Sequence, residues 1–209
     1  MTSLVANALT CIKRDRILFE NLQLTLNRGE LLYLRGPNGA GKTSLLRLLT
    51  GLSVPESGNV TFDGTSVRSP HSGFCEASIY LGHKSGLSSA LSAIDNLSYW
   101  CSQHNVSASK NAVFNVLEQV GLVGLEDIPV RMLSAGQQRR VALSRLWLKP
   151  ATFWLLDEPF TALDVDGVAM LEDKFAAHIR EDGAIITTSH QPLSERAGEH
   201  TLYDLEYRF

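Results

Sequence analysis

The chain lacks any apolar run long enough to cross a bilayer. Its strongest ones, Leu31 to Leu34 and Phe153 to Leu156, fall far short of the roughly 18 to 20 residues a spanning helix needs and read as buried strands. The N-terminus, Met1 to Ile12, lacks the basic start, apolar centre and small-residue cleavage site of a secretory signal. Cysteine is scarce: Cys11, Cys75 and Cys101 are odd in number, scattered and free of C-x-x-C spacing. That excludes a disulfide framework or a zinc ribbon and fits a reducing cytoplasm. Charge bias is lacking too. With 20% charged residues and a net charge of −3, nothing in the bulk electrostatics points to nucleic acid or an anionic membrane surface as the main partner. Internal repeats and low-complexity segments are also absent. What remains is 209 residues, enough to bury a core as one domain without staples.

The pattern of elements is that of an α/β chain. Glu30 to Arg35 is a short apolar run stopping at Gly36, and Lys42 to Thr50 then takes helical spacing through Leu45, Leu46, Leu48 and Leu49. Asn59 to Asp63, followed by Gly64 and Thr65, predicts part of an antiparallel hairpin, and Ser78 to Gly82 a further buried strand. From about Leu91 to Leu148 strand patterns give way to amphipathic helices, with Ala112, Val113, Val116, Leu117 and Val120 on one face. Thr152 to Leu156 and Ala184 to Thr188 are β-type runs flanking a helix over Asp164 to Ile179, an alternation that implies a parallel sheet. His200 to Phe209 predicts a closing strand at an exposed edge. The expected organisation is a single domain over 1–209. Residues 1–90 and 150–209 form a nucleotide-binding core, and about 91–149 an inserted helical subdomain.

Gly36-Pro37-Asn38-Gly39-Ala40-Gly41-Lys42-Thr43 fulfils the whole G-x-x-x-x-G-K-[ST] pattern between a strand and a helix. Glycines let the loop turn its backbone N–H groups around the β- and γ-phosphates, and the helix N-terminus adds its dipole. Lys42 supplies a charge to the β/γ oxygens and Thr43 a hydroxyl to Mg²⁺. An ordinary glycine turn ending in an exposed lysine is the alternative, and the complete match in context weighs against it. Phe153-Trp154-Leu155-Leu156 ends in Asp157 and Glu158, which sets Asp157 at the end of a buried strand, where it can hold Mg²⁺ through water. Glu158 is the candidate general base that polarises the attacking water. An isolated Asp-Glu pair is usually a solvated strand end; the apolar run and the phosphate loop together favour catalysis.

Leu133-Ser134-Ala135-Gly136-Gln137-Gln138 closely resembles the signature of the ABC ATPases, usually written LSGGQ. Thr161-Ala162-Leu163-Asp164 resembles the D-loop of the same superfamily, and His190, after Thr187-Thr188-Ser189, its switch histidine. The resemblance implies a P-loop ABC ATPase fold, with a mixed sheet core, an antiparallel β-subdomain and an inserted α-helical subdomain. It further implies ATP binding at Gly36, Pro37, Asn38, Gly39, Ala40, Gly41, Lys42, Thr43 and Ser44. Ser134, Ala135, Gly136 and Gln137 would cap the γ-phosphate held by a second copy of the chain, Asp164 would lie at the dimer interface, and His190 would orient water with Glu158. Taken alone, Ser-x-Gly-Gln before a helix is a good N-cap and a lone histidine at a strand end is usually structural; the order of the motifs favours the functional roles.

Two positions depart from the superfamily pattern. Where a glutamine normally touches Mg²⁺ and water, Tyr80-Leu81-Gly82 is followed by His83, a shorter side chain that can ligate metal or become protonated. Where an aromatic commonly stacks on adenine, the chain has Lys13, Arg14 and Asp15; Arg14 can stack through its guanidinium plane, with solvated surface charge as the alternative.

Leu133 to Leu148, Asp157 to Asp164, Ser189 to Leu193 and Gly82-His83 resemble most closely the CcmA family, the ATP-binding subunits of the cytochrome c maturation or haem-exporter system. That family implies a peripheral subunit on the cytoplasmic face of the bacterial inner membrane. Its partners would be an integral, CcmB-like membrane subunit and other cytochrome c maturation proteins, with no nucleic acid. His71, His83 and His104 do not look like a haem site, with neither a C-x-x-C-H motif nor a paired axial constellation in the sequence. Leu87, Leu91, Ile94, Leu97, Tyr99 and Trp100 are expected mainly as helical core, in the region where ABC proteins receive their membrane subunit. A soluble ABC ATPase working on nucleic acid would bring a long coiled coil or a second cassette, and neither is present. A non-hydrolysing ATP-binding module is the other alternative, opposed by the intact Lys42, Asp157, Glu158 and His190.

Overall fold

A computed structural model describes residues 2–206. In chain order the main elements are β1 (Ser3–Lys13), β2 (Arg16–Asn27), β3 (Leu31–Arg35), α1 (Lys42–Leu49), β4 (Ser57–Phe62), β5 (Thr65–Ser66), α2 (Phe74–Ala77) and β6 (Ser78–Leu81). There follow α3 (Ala93–Gln103), α4 (Lys110–Gln119), α5 (Ala135–Leu143), α6 (Arg145–Leu148), β7 (Phe153–Leu156), α7 (Val165–Arg180), β8 (Ala184–Thr188) and β9 (Thr201–Asp204). The expected mixture of strand directions resolves into two sheets, a parallel one in the order β6-β7-β8-β3-β9 and an antiparallel one in the order β2-β1-β4-β5.

The short apolar runs become the centre of the parallel sheet because both of its faces are covered. Alternate residues serve two cores. Leu32, Leu34, Phe153, Leu155, Ala184 and Ile186 pack with α1 and the antiparallel sheet, while Leu31, Tyr33, Trp154, Leu156 and Ile185 pack with α7. Between β6 and β7 the chain is helical, and Val113, Val116, Leu117 and Val120 are buried as their spacing predicts, with Ala112 only half-buried. Ile94 and Leu97 join that helical core and Tyr99 is exposed. The closing strand is shorter than expected, Thr201–Asp204, and pairs with β3 at the sheet edge; residues 207–209 of the expected segment lie outside the described residues.

The long hairpin of β1 and β2 is not legible as strands in the sequence. Its apolar alternation is broken where Ala8 and Asn21 adopt positive φ of 48° and 54° and the pairing register shifts, so buried residues fall at Leu4 and Ala6 and then at Leu9, Thr10 and Cys11. A bulge of this kind moves the inward face by one residue. Arg14 and Asp15, with φ of 51° and 61°, form the exposed turn between the two strands, the twist-matched two-residue geometry.

At the opposite end of the parallel sheet from the strand C-termini, His178 of α7 lies flat on Trp154, with ring centroids 3.6 Å apart and planes 6° apart, and its Nε2 donates to Thr152 O at 2.9 Å. Burial pushes its pKa down to about 4 from an ordinary 6.5. The stacked imidazole is therefore neutral in the folded chain while the unfolded chain protonates first. Stability is full above pH 6.5, falls as pH drops toward 4, and loses no more from this group below that. Urea titrations across this window should show the loss in wild type and a flatter profile in His178→Gln.

Candidate functional site

Parallel strands all end on one side of their sheet, so the loops that follow them share an edge. Here β3 leads into Gly36–Gly41, β6 into Gly82-His83, β7 into Asp157-Glu158 and β8 into Ser189-His190. Segments more than 100 residues apart in sequence thus meet because the strand order is β6-β7-β8-β3.

The phosphate loop is held by packing that tolerates no side chain at its entrance. A Cβ on Gly36, whose φ is 150°, would lie 2.4 Å from Leu205 O. Gly41, at φ 103°, precedes α1 without a side-chain cap, which leaves the first-turn N–H groups directed at the loop's interior. Lys42 is buried, and its ammonium donates to Gly36 O at 2.6 Å and Pro37 O at 3.2 Å. Asn38, Gly39, Gly41, Lys42, Thr43, Ser44, Leu18 and Glu158 line a cleft of about 260 Å³. Leu18, rather than Arg14, is the residue of the first hairpin that reaches this cleft.

Asp157 is 1% exposed. One carboxylate oxygen accepts from Thr43 Oγ1 at 2.8 Å and the other from Thr188 Oγ1 at 3.1 Å. A hydroxyl and a carboxylate side by side are hard oxygen donors of the type Mg²⁺ prefers, so Thr43 and Asp157 are the residues that would hold it. Among the described residues no group of three or more His, Cys, Asp or Glu could hold a metal by itself.

Glu158 stands in the left-handed region, φ 51°, and its N–H donates to Thr188 Oγ1 at 2.8 Å. Its carboxylate lies between two imidazoles: His190 Nε2 is 3.0 Å from Oε1, and His83 Nδ1 is 3.6 Å from Oε2. His83 therefore sits beside Glu158, and its distance there is that of a charge neighbour and not of a hydrogen bond. The loop carrying His190 is tethered from below, where the Tyr33 hydroxyl lies 3.1 Å from Ser189 O and 2.9 Å from Gln191 O. Burial raises the Tyr33 phenol pKa.

Tyr33 and Thr188 are site residues that motif reasoning passes over. Their signal was there in the sequence: each carries a hydroxyl into a buried, mainly apolar strand, and a buried hydroxyl must find a partner.

Ser134 caps α5 through a capping box, with its Oγ accepting from Gln137 N at 3.2 Å and Gln137 Oε1 accepting from Ser134 N at 2.8 Å. Ala135 and Gly136 open the helix, and a Cβ on Gly136 would lie 2.7 Å from Ala162 O. Asp164 caps α7, accepting from Gly167 N at 2.9 Å and from Arg140 Nη2 at 2.5 Å. The Arg140 hydrogen bond holds its carboxyl below the usual range. Ser134, Gly136, Gln137, Arg140, Ala162 and Asp164 line a cleft that shares no residue with the phosphate-loop cleft. The structure thus brings Lys42, Thr43, Asp157, Glu158, His190 and His83 together and holds the Ser134–Gln137 group apart from them.

The ABC transporter family profile matches residues 19–161. A protein of Idiomarina loihiensis named "Cytochrome c biogenesis ATP-binding export protein CcmA" is 47% identical over 97% of this chain and 92% of its own length. Proteins of the same name from Escherichia coli K12 and Pseudomonas savastanoi are 47% and 48% identical, over 93% and 97% of this chain and 92% and 94% of their own lengths. Among solved structures, an ABC transporter ATP-binding protein from Pyrococcus furiosus superposes with a TM-score of 0.82 at 26% identity, covering 97% of each chain. A bacterial ABC transporter cassette solved as a dimer gives 0.83 at 20% identity, over 97% of this chain and 94% of its own, a likeness of fold.

Thr188 is the joint between the two acidic residues, and a valine in its place would keep the shape while leaving the Glu158 N–H unpaired. Thr188→Val should cost about 1–3 kcal/mol, read as a lowered midpoint in urea unfolding at unchanged m-value.

Proposed function

The chain belongs to the ABC transporter family, and on that premise we propose that it is the ATP-hydrolysing subunit that energises a separate membrane protein in the biogenesis of c-type cytochromes. The family accounts for ATP binding and hydrolysis. The cytochrome c pathway is supported by the shared name of relatives 47–48% identical over nearly the whole chain, and haem handling by that pathway's chemistry. No helix of the described residues is long and apolar enough to cross a membrane, which is consistent with a peripheral subunit at the cytoplasmic face of the inner membrane, paired with a CcmB-like integral protein.

The observation that carries the mechanism is the Glu158 carboxylate 3.0 Å from His190, directly beside the Thr43–Asp157 pair. Lys42 exchanges its two carbonyl partners for β- and γ-phosphate oxygens when ATP enters. Thr43 and Asp157 are the residues that would hold Mg²⁺, which when bound neutralises developing phosphate charge. Glu158 polarises the attacking water and receives its proton, and His190 fixes the orientation of that carboxylate and faces the γ-phosphate. The Ser134 hydroxyl accepts from Gln137 N and keeps its own proton free to donate. Ser134 and the α5 N-terminus can thus receive the γ-phosphate held by a second copy, with Asp164 at the shared boundary. Two nucleotides are then enclosed in a head-to-tail dimer that reopens as phosphate leaves.

Glu158→Gln should lower kcat by about 100-fold or more while ATP still binds and drives dimerisation. Unchanged turnover would remove Glu158 as the base. In host cells, Lys42→Ala at equal expression should abolish the c-type cytochrome bands on haem-stained gels. Bands that persist while ATP hydrolysis is lost would assign the subunit to an exporter of another cargo.

A further inference from the structure

Arg139 is 7% exposed on α5, one and a half turns beyond Ser134, and its guanidinium is bonded wholly to backbone oxygens. Nε donates to Pro159 O at 3.0 Å, and Nη2 to Glu158 O at 2.9 Å and Asp157 O at 3.3 Å. Nη1 reaches Gly82 O at 3.4 Å, the carbonyl just before His83. Burial lowers its pKa, and the charges of Asp157 and Glu158 act in the opposite direction. One side chain thus spans three consecutive carbonyls of the acidic loop and a fourth from the loop after β6.

A buried arginine can simply satisfy buried carbonyls, but these particular carbonyls belong to the residues that do the chemistry. Glu158 is a non-glycine residue at positive φ, a conformation that persists only when its surroundings enforce it. Its N–H is held by Thr188 of β8 and its carbonyl by Arg139 of α5, so the peptide groups that aim its side chain are pinned from two different elements. Further along, Arg145 of α6 donates to Ser85 O at 2.9 Å and Gly86 O at 3.1 Å. The loop that carries His83 is therefore suspended at both ends from the helices that follow the signature.

We propose that Arg139 is a positioning residue for Glu158, linking the signature helix of a subunit to the general base and the His83 loop of that same subunit. When Ser134–Gln137 engage nucleotide held by a second copy, α5 moves as a rigid helix and Arg139 carries its displacement to the Glu158 backbone. Each signature thereby reports its own engagement to the base beside its own phosphate loop. Only a planar fork spans both loops; an ammonium at the end of a lysine is a single point of donation. This rests on Glu158 being the base and on the head-to-tail dimer proposed above.

The test uses the full chain with Arg139→Gln, Arg139→Lys and, in parallel, Lys42→Ala. Arg139→Gln should lower kcat roughly 10- to 100-fold, the scale of a misplaced catalytic group, with KM for ATP within about twofold of wild type. Combined with Glu158→Gln it should still dimerise on adding ATP. Arg139→Lys should restore the thermal midpoint while leaving kcat about 10-fold down, and it carries the test if Arg139→Gln does not fold. Wild-type kcat in the folded variants overturns the positioning role. So does a loss of kcat matched by a raised KM and lost dimerisation, the pattern of general structural damage. Turnover abolished by Lys42→Ala assigns the measured rate to this site, so that an unaffected Arg139 variant counts against Arg139 and not against the ATPase; turnover surviving Lys42→Ala overturns both.

Discussion

A carboxylate taken out of water must be paired or hydrogen-bonded, because the desolvation of an ion costs several kcal/mol even after relaxation. Asp157, at 1% exposure, imposes that requirement on the whole edge where the parallel strands end. Its two oxygens are met by Thr43 from the start of α1 and Thr188 from the end of β8, so the helix after β3 and the strand between β7 and β3 are drawn to the same point. Thr188 Oγ1, having donated its proton to Asp157, accepts from Glu158 N, so Glu158 is aimed as a by-product of satisfying the buried acid. The apolar cores on both sheet faces give this edge its rigidity, and the polar chain at the edge gives it its geometry.

What could be read in the sequence was what is local in the chain. The phosphate loop, the Asp157-Glu158 pair and the parallel strands are each encoded within a few consecutive residues, and the structure has them where the patterns predict. What could not be read depends on two distant segments meeting. Nothing in Arg139's neighbourhood along the chain separates it from Arg140, yet one holds four carbonyls at the strand-end edge and the other holds Val120 O and Asp164. Tyr33 is the third residue of its apolar run, and which groups its hydroxyl meets is decided by β3 lying beside β8. The first hairpin escaped for a different reason: bulges at Ala8 and Asn21 erase the alternation that marks a strand.

His83 stands where the ABC resemblance leads one to expect a glutamine. A glutamine in that position reaches further from the backbone than an imidazole, and here the ring stops beside the Glu158 carboxylate, 3.6 Å from Oε2. Its side chain is 67% exposed, so solvent screens the pair, and the firm polar partner of Glu158 is His190 at 3.0 Å. The loop that presents His83 is nonetheless fixed at Gly82, Ser85 and Gly86 by two buried arginines. The side chain is free in water while its backbone is tied to the helices of the signature.

That arrangement bears on why one copy of the chain is only part of a catalytic unit in the proposed mechanism. The His190 side chain is 55% exposed and that of Glu158 20%, so both open to solvent. A reaction that depends on one positioned water gains from excluding the others. The signature cleft lies elsewhere on the surface, and a third cavity, lined by Glu158 and His190 at one end and by Ala162 at the other, joins the two regions through the D-loop. Ala162 O in turn packs against Gly136 so closely that a methyl group there would collide. The Ser134–Gln137 segment, the Thr161–Asp164 loop and Glu158 are thus in continuous contact within one chain, although in the proposed mechanism the nucleotide that Ser134–Gln137 receives is bound by the other copy. In the proposed dimer, a second copy covering the open side of Glu158 would load, through Gly136 and Arg139, the same backbone that sets the direction of the Glu158 side chain.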